Sequence, residues 1–373
     1  MKNQILQSFR FVLFLPVILL IGTLFGEEKN LRISSAQAVG NPPAAVTPPT
    51  IQLSSVEENK ELQKKKVMLD QFAPVNAPYS QFIVQLSYKD IDLINYSQGL
   101  EKDSRRPVAS VTKLFTAVAI LQLQDLNLLN IEDPVAKYFP ELKISSEPVD
   151  GKMVRIAHLM NHTAGLPYAS GDNQLLKSEF SNAGVWIPRQ YKAAGLEFNY
   201  SNANFGILAA IIEKVSGMSY SEYMRSNIFE ASGMKNSSVD NSALGYSGIQ
   251  SSVNDLTVFG QKLASGEIIS KRSLKQISRP PEGQKKHKDG MFYGLGARVV
   301  VEKGEVLEIY HTGIFNGNFA EMHIYFPTKS VAVLFGNPPD IRAKVFNQYR
   351  YTLNSYLRQY ILAFNQLLGD EVL

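Results

Sequence analysis

The sequence predicts an α/β (α+β) fold: an antiparallel sheet built from both chain ends, flanked by helices, with a mostly helical region inserted between the two halves. Three observations predict it. Short β-branched and aromatic runs bounded by turn residues occur near the start of the folded part, at 82–96, and again over 297–335. The stretch between them, from Asn127 to about Gly248, carries helical spacing and loop residues. One segment, Ala109 to Leu121, opens with a polar cluster and then runs apolar on every side, which is the pattern of a helix buried all round.

Taken in order, Lys2 and Arg10 precede the apolar run Phe11–Phe25, and Ala36-Gln37-Ala38 offers small residues for cleavage. Residues 1–38 therefore read as a signal peptide or an uncleaved N-terminal anchor, with a membrane tether through 11–25 in the second case. Residues 39–68, with Pro42-Pro43, Pro48-Pro49 and a charged stretch, read as a linker. The folded domain is expected over 69–373, its helical insertion over about 125–250.

Phe82–Leu86 and Ile91–Tyr96 predict a hairpin across Lys89-Asp90. Glu132-Asp133-Pro134 predicts a helix start. Ala203–Val215 predicts a helix with Asn202 as N-cap and Gly217 beyond its end, and Val253–Ala264 another, capped by Ser252 or Asn254. Ala297–Val301 with Val306–Tyr310, and Glu321–Phe326 with Ser330–Phe335, predict two more hairpins. Arg342–Leu368 predicts a closing helix with an apolar face.

Composition bounds the chemistry. At 373 residues, with 45% hydrophobic and 19% charged side chains, the chain can bury a large core without staples. Its net charge of +4 falls to about +2 once residues 1–38 are set aside, and no basic tract suggests nucleic acid. With no cysteine, disulfides, thiolate metal sites and a cysteine nucleophile are excluded together. His158 and His162 stand four apart, but the glutamate of a zinc-protease helix is missing and Gly165-Leu166-Pro167 breaks the helix. They read as structural histidines at a helix end, and neither a metal nor another cofactor is expected.

At the head of the buried helix stands Ala109-Ser110-Val111-Thr112-Lys113. Ser110 and Lys113 share one face, one turn apart. Desolvation of a lysine there disfavours its charge and makes it a base for the neighbouring hydroxyl. The plainer alternatives are a helix N-cap for Ser110 and a snorkelling side chain for Lys113. A second Ser-x-x-Lys, Ser232-Gly233-Met234-Lys235, is followed by Asn236-Ser237-Ser238 and reads as a turn. Of 17 tyrosines only Tyr200, in Tyr200-Ser201-Asn202, lies two residues before an asparagine, at a loop-to-helix junction. His311-Thr312-Gly313 ends an edge-like strand, and Gly313 would let a substrate approach the backbone.

Ser-x-x-Lys, Tyr-x-Asn and a strand-borne His-Thr-Gly, in that order, resemble the serine β-lactamase and penicillin-binding protein superfamily, most closely its class C β-lactamase, DD-peptidase and esterase branch. Glu132–Leu142 and His158–Pro167 are similar to that branch as well. The resemblance implies a β-lactamase/transpeptidase-like fold over about 70–365. It implies an acyl-enzyme at Ser110, with Lys113 taking the hydroxyl proton and Tyr200, its phenol acidified by the lysine, passing a proton to the leaving group and later activating water. Asn202 would bond the substrate amide or Lys113, and the N–H groups of Ser110 and Ile314 would form the oxyanion hole.

His311 departs from the lysine common in this superfamily. A neutral imidazole holds a substrate carboxylate weakly. An exported, periplasmic or envelope-bound DD-peptidase-like or D-amino-acid esterase is therefore favoured, acting on peptides or esters of the cell envelope. The alternatives are a β-lactamase and a non-catalytic envelope binding module. The sequence gives no oligomeric state.

Overall fold

The computed structural model describes residues 81–88, 91–140, 151–167, 190, 192–241, 245–277, 280, 291–302 and 305–337. The export segment, the linker, the expected domain start near 69–79 and the helix predicted over 342–368 lie outside the described residues.

Strands β1 (Phe82–Tyr88), β2 (Ile91–Gln98), β6 (Met291–Tyr293), β7 (Arg298–Glu302), β8 (Glu305–Phe315), β9 (Asn318–Tyr325) and β10 (Ser330–Gly336) form one sheet. Its order is β2-β1-β10-β9-β8-β7-β6. Strands from the two ends of the described residues meet inside it, where β1 runs antiparallel to β10 from Phe82↔Gly336 to Ser87↔Val331. Every residue of β1 and β10 is buried. That explains why Phe-Ile-Val and Val-Ala-Val-Leu-Phe run continuously instead of alternating, since both faces of these strands are covered.

A one-turn 3₁₀ segment, Ala109–Val111, leads into helix α1 (Thr112–Asp125), where only Gln122, Gln124 and Asp125 escape full burial. Phe115 of α1 stacks on Phe259 with ring centroids 4.0 Å apart and meets Phe229 edge-on at 6.3 Å. Such offset and edge-to-face contacts are the favoured geometries of buried rings. Phe259 belongs to helix α4 (Val253–Ser265), which covers β9 and β10. Ser252 caps α4 by accepting the Asp255 N–H, which decides between the two predicted caps. Short α2 (Ile156–Met160) and longer α3 (Asn202–Ser216) pack on each other, and α3 on α1.

Two expectations need correction. Asn202 is the first residue inside α3, not its cap: Ser201, in extended backbone, holds the capping position. Glu132-Asp133-Pro134 leads only into a 3₁₀ turn, Val135–Lys137, because Pro134 stays extended and bridges Arg155. Near its end the mostly helical insertion also carries strands: β4 (Ser238–Val239) and β5 (Ile249–Ser251) join β3 (Arg106–Pro107), which lies before the insertion, in a small sheet of order β3-β5-β4. Ser232–Lys235 is a turn, with Gly233 at φ +79° and Lys235 exposed.

Candidate active site

The 3₁₀ turn presents Ser110, partly exposed, while the helix behind it buries Lys113 completely. Ala109, just before the serine, has φ +47°, a left-handed conformation that strains an alanine and marks a turn held by its surroundings. Lys113 Nζ lies 3.1 Å from Ser110 Oγ and donates to the Tyr246 carbonyl at 3.0 Å. Burial pushes the Lys113 ammonium well below the usual lysine range. The amine can therefore accept the serine proton. Its nitrogen also stands 4.9 Å from the centroid of the Tyr200 ring.

Gly245, next to the carbonyl that holds Lys113, shows why the sequence needs glycine there. Its φ is +78°, and a Cβ would fall 2.2 Å from the Phe205 carbonyl of α3. Thr116, one turn after Lys113, donates to the Gly245 carbonyl at 2.7 Å and with its one hydrogen so used accepts from Tyr220 Oη at 2.7 Å. The lysine thus sits on a floor bonded on both sides.

The strand wall comes from β8. This strand is interior in the sheet, which corrects the edge-like reading, yet β7 pairs with it only as far as Tyr310. From His311 to Phe315 it is laddered on β9 alone. Gly313 is pressed on the turn that carries Ser110: a Cβ there would lie 2.2 Å from the Val108 carbonyl and 2.9 Å from both Ala109 Cβ and the Ser110 nitrogen. The neighbour that requires glycine is thus the serine's own turn, where the sequence suggested a substrate. Ile314, whose N–H was assigned to the oxyanion hole, is exposed next to it.

His311 is buried, 6.5 Å from Tyr200 between ring centroids. Its Nδ1 bonds the Thr312 carbonyl at 2.8 Å and its Nε2 the Tyr293 hydroxyl at 3.0 Å. A carbonyl can only accept, so Nδ1 carries the hydrogen and Nε2 takes the Tyr293 proton. Desolvation first, then the Lys113 and Arg298 charges, hold His311 well below the ordinary imidazole range. Strand alternation places Thr312 on the opposite face, across from Glu321.

The structure thus brings Ser110, Lys113, Tyr200, His311 and Gly313 together. Asn202 is only partly buried, and its Oδ1 is a buried acceptor with no hydrogen-bond partner among the described residues. Lys113 bonds Ser110 and the Tyr246 carbonyl, so of the two roles expected for Asn202 the bond to the lysine is replaced by a main-chain carbonyl. Sequence reasoning missed Tyr293 and the Tyr246 carbonyl, since nothing local marks them. It placed His162 at a helix end without seeing that the imidazole lies 4.3 Å from the Tyr200 ring. His158 and His162 both turn Nδ1 to main-chain N–H groups, those of Arg155 and Ser201.

Against known proteins, the family model described as Beta-lactamase matches residues 94–337. The chain belongs to the Beta-lactamase family. This places it in the β-lactamase and penicillin-binding protein superfamily of serine hydrolases. Penicillin-binding protein 4* of Bacillus subtilis (strain 168) is 28% identical over 292 residues, 64% of this chain and 62% of that protein. The chain therefore spans less than two thirds of that relative. A solved D-amino acid amidase from Ochrobactrum anthropi SV3 superposes with a TM-score of 0.61 at 18% identity, covering 84% of this chain and 99% of the other. A penicillin-binding protein from Bacillus halodurans gives 0.56 at 22%, covering 68% and 90%. These structures establish the family's fold here: a large antiparallel sheet with helices.

Proposed function

We propose that this member of the Beta-lactamase family is an exported hydrolase that forms an acyl-enzyme at Ser110. The observation that carries the reading is the 3.1 Å contact between Ser110 Oγ and a fully buried lysine amine. In the first half-reaction Oγ bonds to the substrate carbonyl carbon while its proton passes to Lys113 Nζ. The carbonyl oxygen gains the negative charge and takes hydrogen bonds from the Ser110 and Ile314 N–H groups. Collapse breaks the bond to the leaving amine or alcohol, which receives a proton through Tyr200. Water then attacks the ester carbon, gives a proton back along the same route, and releases the acid and the serine hydroxyl. Asn202 Oδ1, an acceptor with no partner among the described residues, suits a substrate amide N–H.

The substrate class follows from His311. A buried neutral ring with both nitrogens engaged offers no cation to a carboxylate, which favours amides and esters of D-amino acids or envelope peptides over acids ending in a free carboxylate. The D-amino acid amidase whose fold this chain shares supports that choice. A second reading, hydrolysis of β-lactams, is favoured by one relative, a β-lactamase of Yersinia enterocolitica 34% identical over 128 residues, 33% of this chain and 31% of that protein.

The test is covalent labelling. A fluorophosphonate should label the wild type and leave Ser110→Ala unlabelled, with the adduct found on the peptide holding residue 110. Equal labelling of that variant would end the proposal. Comparing a D-amino-acid p-nitroanilide with nitrocefin then separates the two readings.

A further inference from the structure

The loop that delivers Tyr200 is held by one residue from both sides. The His162 carbonyl accepts the N–H of Asn199 at 2.8 Å, and His162 Nδ1 accepts the N–H of Ser201 at 3.2 Å. These are the main-chain neighbours of Tyr200, before and after it. Asn204 Nδ2, one turn into α3, stands 2.9 Å from the same Nδ1. The imidazole also lies under the tyrosine, with ring centroids 4.3 Å apart and planes 35° apart. His162 itself has φ +61°, left-handed and unfavourable for a side chain of this size, which the clamp on both sides maintains.

The tautomer follows from these partners. A nitrogen that accepts a main-chain N–H carries no hydrogen, so the neutral ring bears its proton on Nε2. That atom is buried and has no hydrogen-bond partner among the described residues. Its surroundings are rings: Tyr293 at 4.8 Å, Phe205 at 5.2 Å and Phe198 at 5.9 Å between centroids. A phenyl group would fill this cage without burying an unpaired donor. What it could not provide is the acceptor at Nδ1.

We propose that His162 is a positioning residue: it fixes Tyr200 through the flanking main chain and the ring beneath, so that the phenol stays over the Lys113 amine. The inference rests on the acyl-enzyme reading and adds to it a residue that touches neither substrate nor the reacting atoms. Because its lever is Nδ1, the conservative replacement is asparagine, whose Oδ1 can reach the Ser201 N–H, while phenylalanine keeps the ring and loses the acceptor.

Full-length wild type, His162→Asn and His162→Phe are compared by steady-state hydrolysis of p-nitrophenyl butyrate and by the rate of fluorophosphonate labelling. His162→Phe should lose roughly ten- to a hundredfold in kcat with little change in KM, as expected when a proton-transfer group is misplaced by a fraction of its reach. His162→Asn should recover most of the loss. Wild-type kcat in the phenylalanine variant, or equal losses in two folded variants, would overturn the proposal. If the phenylalanine variant does not fold, ¹⁵N-histidine spectra of the wild type still decide: they should show residue 162 protonated on Nε2 and bare on Nδ1, and the opposite tautomer would overturn it. A wild type inert to both probes would sink the acyl-enzyme reading, while the tautomer measurement would still judge the clamp.

Discussion

Tyr293 donates its hydroxyl hydrogen to Nε2 of His311 across 3.0 Å, and in doing so closes the one face of that imidazole that could have met a substrate anion. The other nitrogen is closed by the Thr312 carbonyl. Where a lysine would bring a permanent charge to this wall of the cleft, the chain places a neutral ring buried in its own hydrogen bonds.

The first prediction concerns that ring and pH. His311 is held well below the ordinary imidazole range, first by burial and then by Lys113. A lowered value means that the proton is taken up only on acidification below the usual range, so between about pH 6 and 8 the ring stays uncharged. The ratio of kcat/KM for a D-Ala-D-Ala peptide to that for its C-terminal amide should therefore be flat over this window. A ratio that climbs as pH falls through it would mean that the imidazole titrates and binds the carboxylate.

Tyr293→Phe should leave His311 Nε2 buried without a donor. The expected destabilisation is about 1–3 kcal/mol, read from urea unfolding at pH 7. His311→Phe together with Tyr293→Phe removes both polar groups and should cost less than the two single changes summed, the sign of a direct bond between them.

Lys113 sets function against stability. Its amine is buried, its hydrogen bonds go to the Ser110 hydroxyl and the Tyr246 carbonyl, and burial alone depresses its protonation. Lys113→Met removes a costly group of similar shape and should hold or raise the melting temperature, while labelling of Ser110 slows by on the order of a thousandfold. Lys113→Arg, which cannot give up its proton, should be equally inactive and less stable. A methionine variant that labelled at the wild-type rate would show that the serine needs no amine.

Gly313→Ala tests the contact between strand and nucleophile. The new methyl meets backbone at 2.2 Å, so the turn carrying Ser110 must move. Acylation should fall by roughly a hundredfold, more than any shift in melting temperature would suggest, because the displaced atoms belong to the nucleophile and the N–H beside it. Stopped-flow labelling measures the first quantity and calorimetry the second.

On the sheet face away from Ser110, His323 is buried between two carboxylates, bonded through Nδ1 to Glu308 and through Nε2 to Glu321 at 2.8 Å. Burial opposes its charge, but the Glu308 charge and the bonds from both glutamates outweigh it and raise the imidazolium to about 9. A raised value gives stability that is complete below the unfolded value near 6.5 and is lost as pH climbs toward 9. Urea unfolding of the wild type should show a decline across that interval, and His323→Gln should flatten it. An unchanged slope in the variant would remove the histidine from the account.

Much of this was legible in the chain. Strand and helix types follow from local periodicity, and Ser110, Lys113, Tyr200 and His311 stand in short patterns that need no tertiary knowledge to notice. Errors arose where a local rule met a longer-range contact. Asn202 is a good capping residue, yet Ser201 takes the capping position and turns its N–H to His162, a partner 39 positions away in the chain. His311 looked like the last residue of an edge because β7 stops one residue short of it, a limit that lies in the neighbour's length.

The sequence by itself determined the sheet joined from both ends, the helix buried on all sides and the turn-separated spacing of serine and lysine, because those depend on side-chain volume and hydrophobic period within a few residues. Only the tertiary structure decided the protonation of the site. Whether Lys113 is a base and His311 a cation depends on which distant carbonyl, hydroxyl or ring excludes water from each nitrogen, and those groups, Tyr246, Tyr293 and Thr312, are brought there by folding.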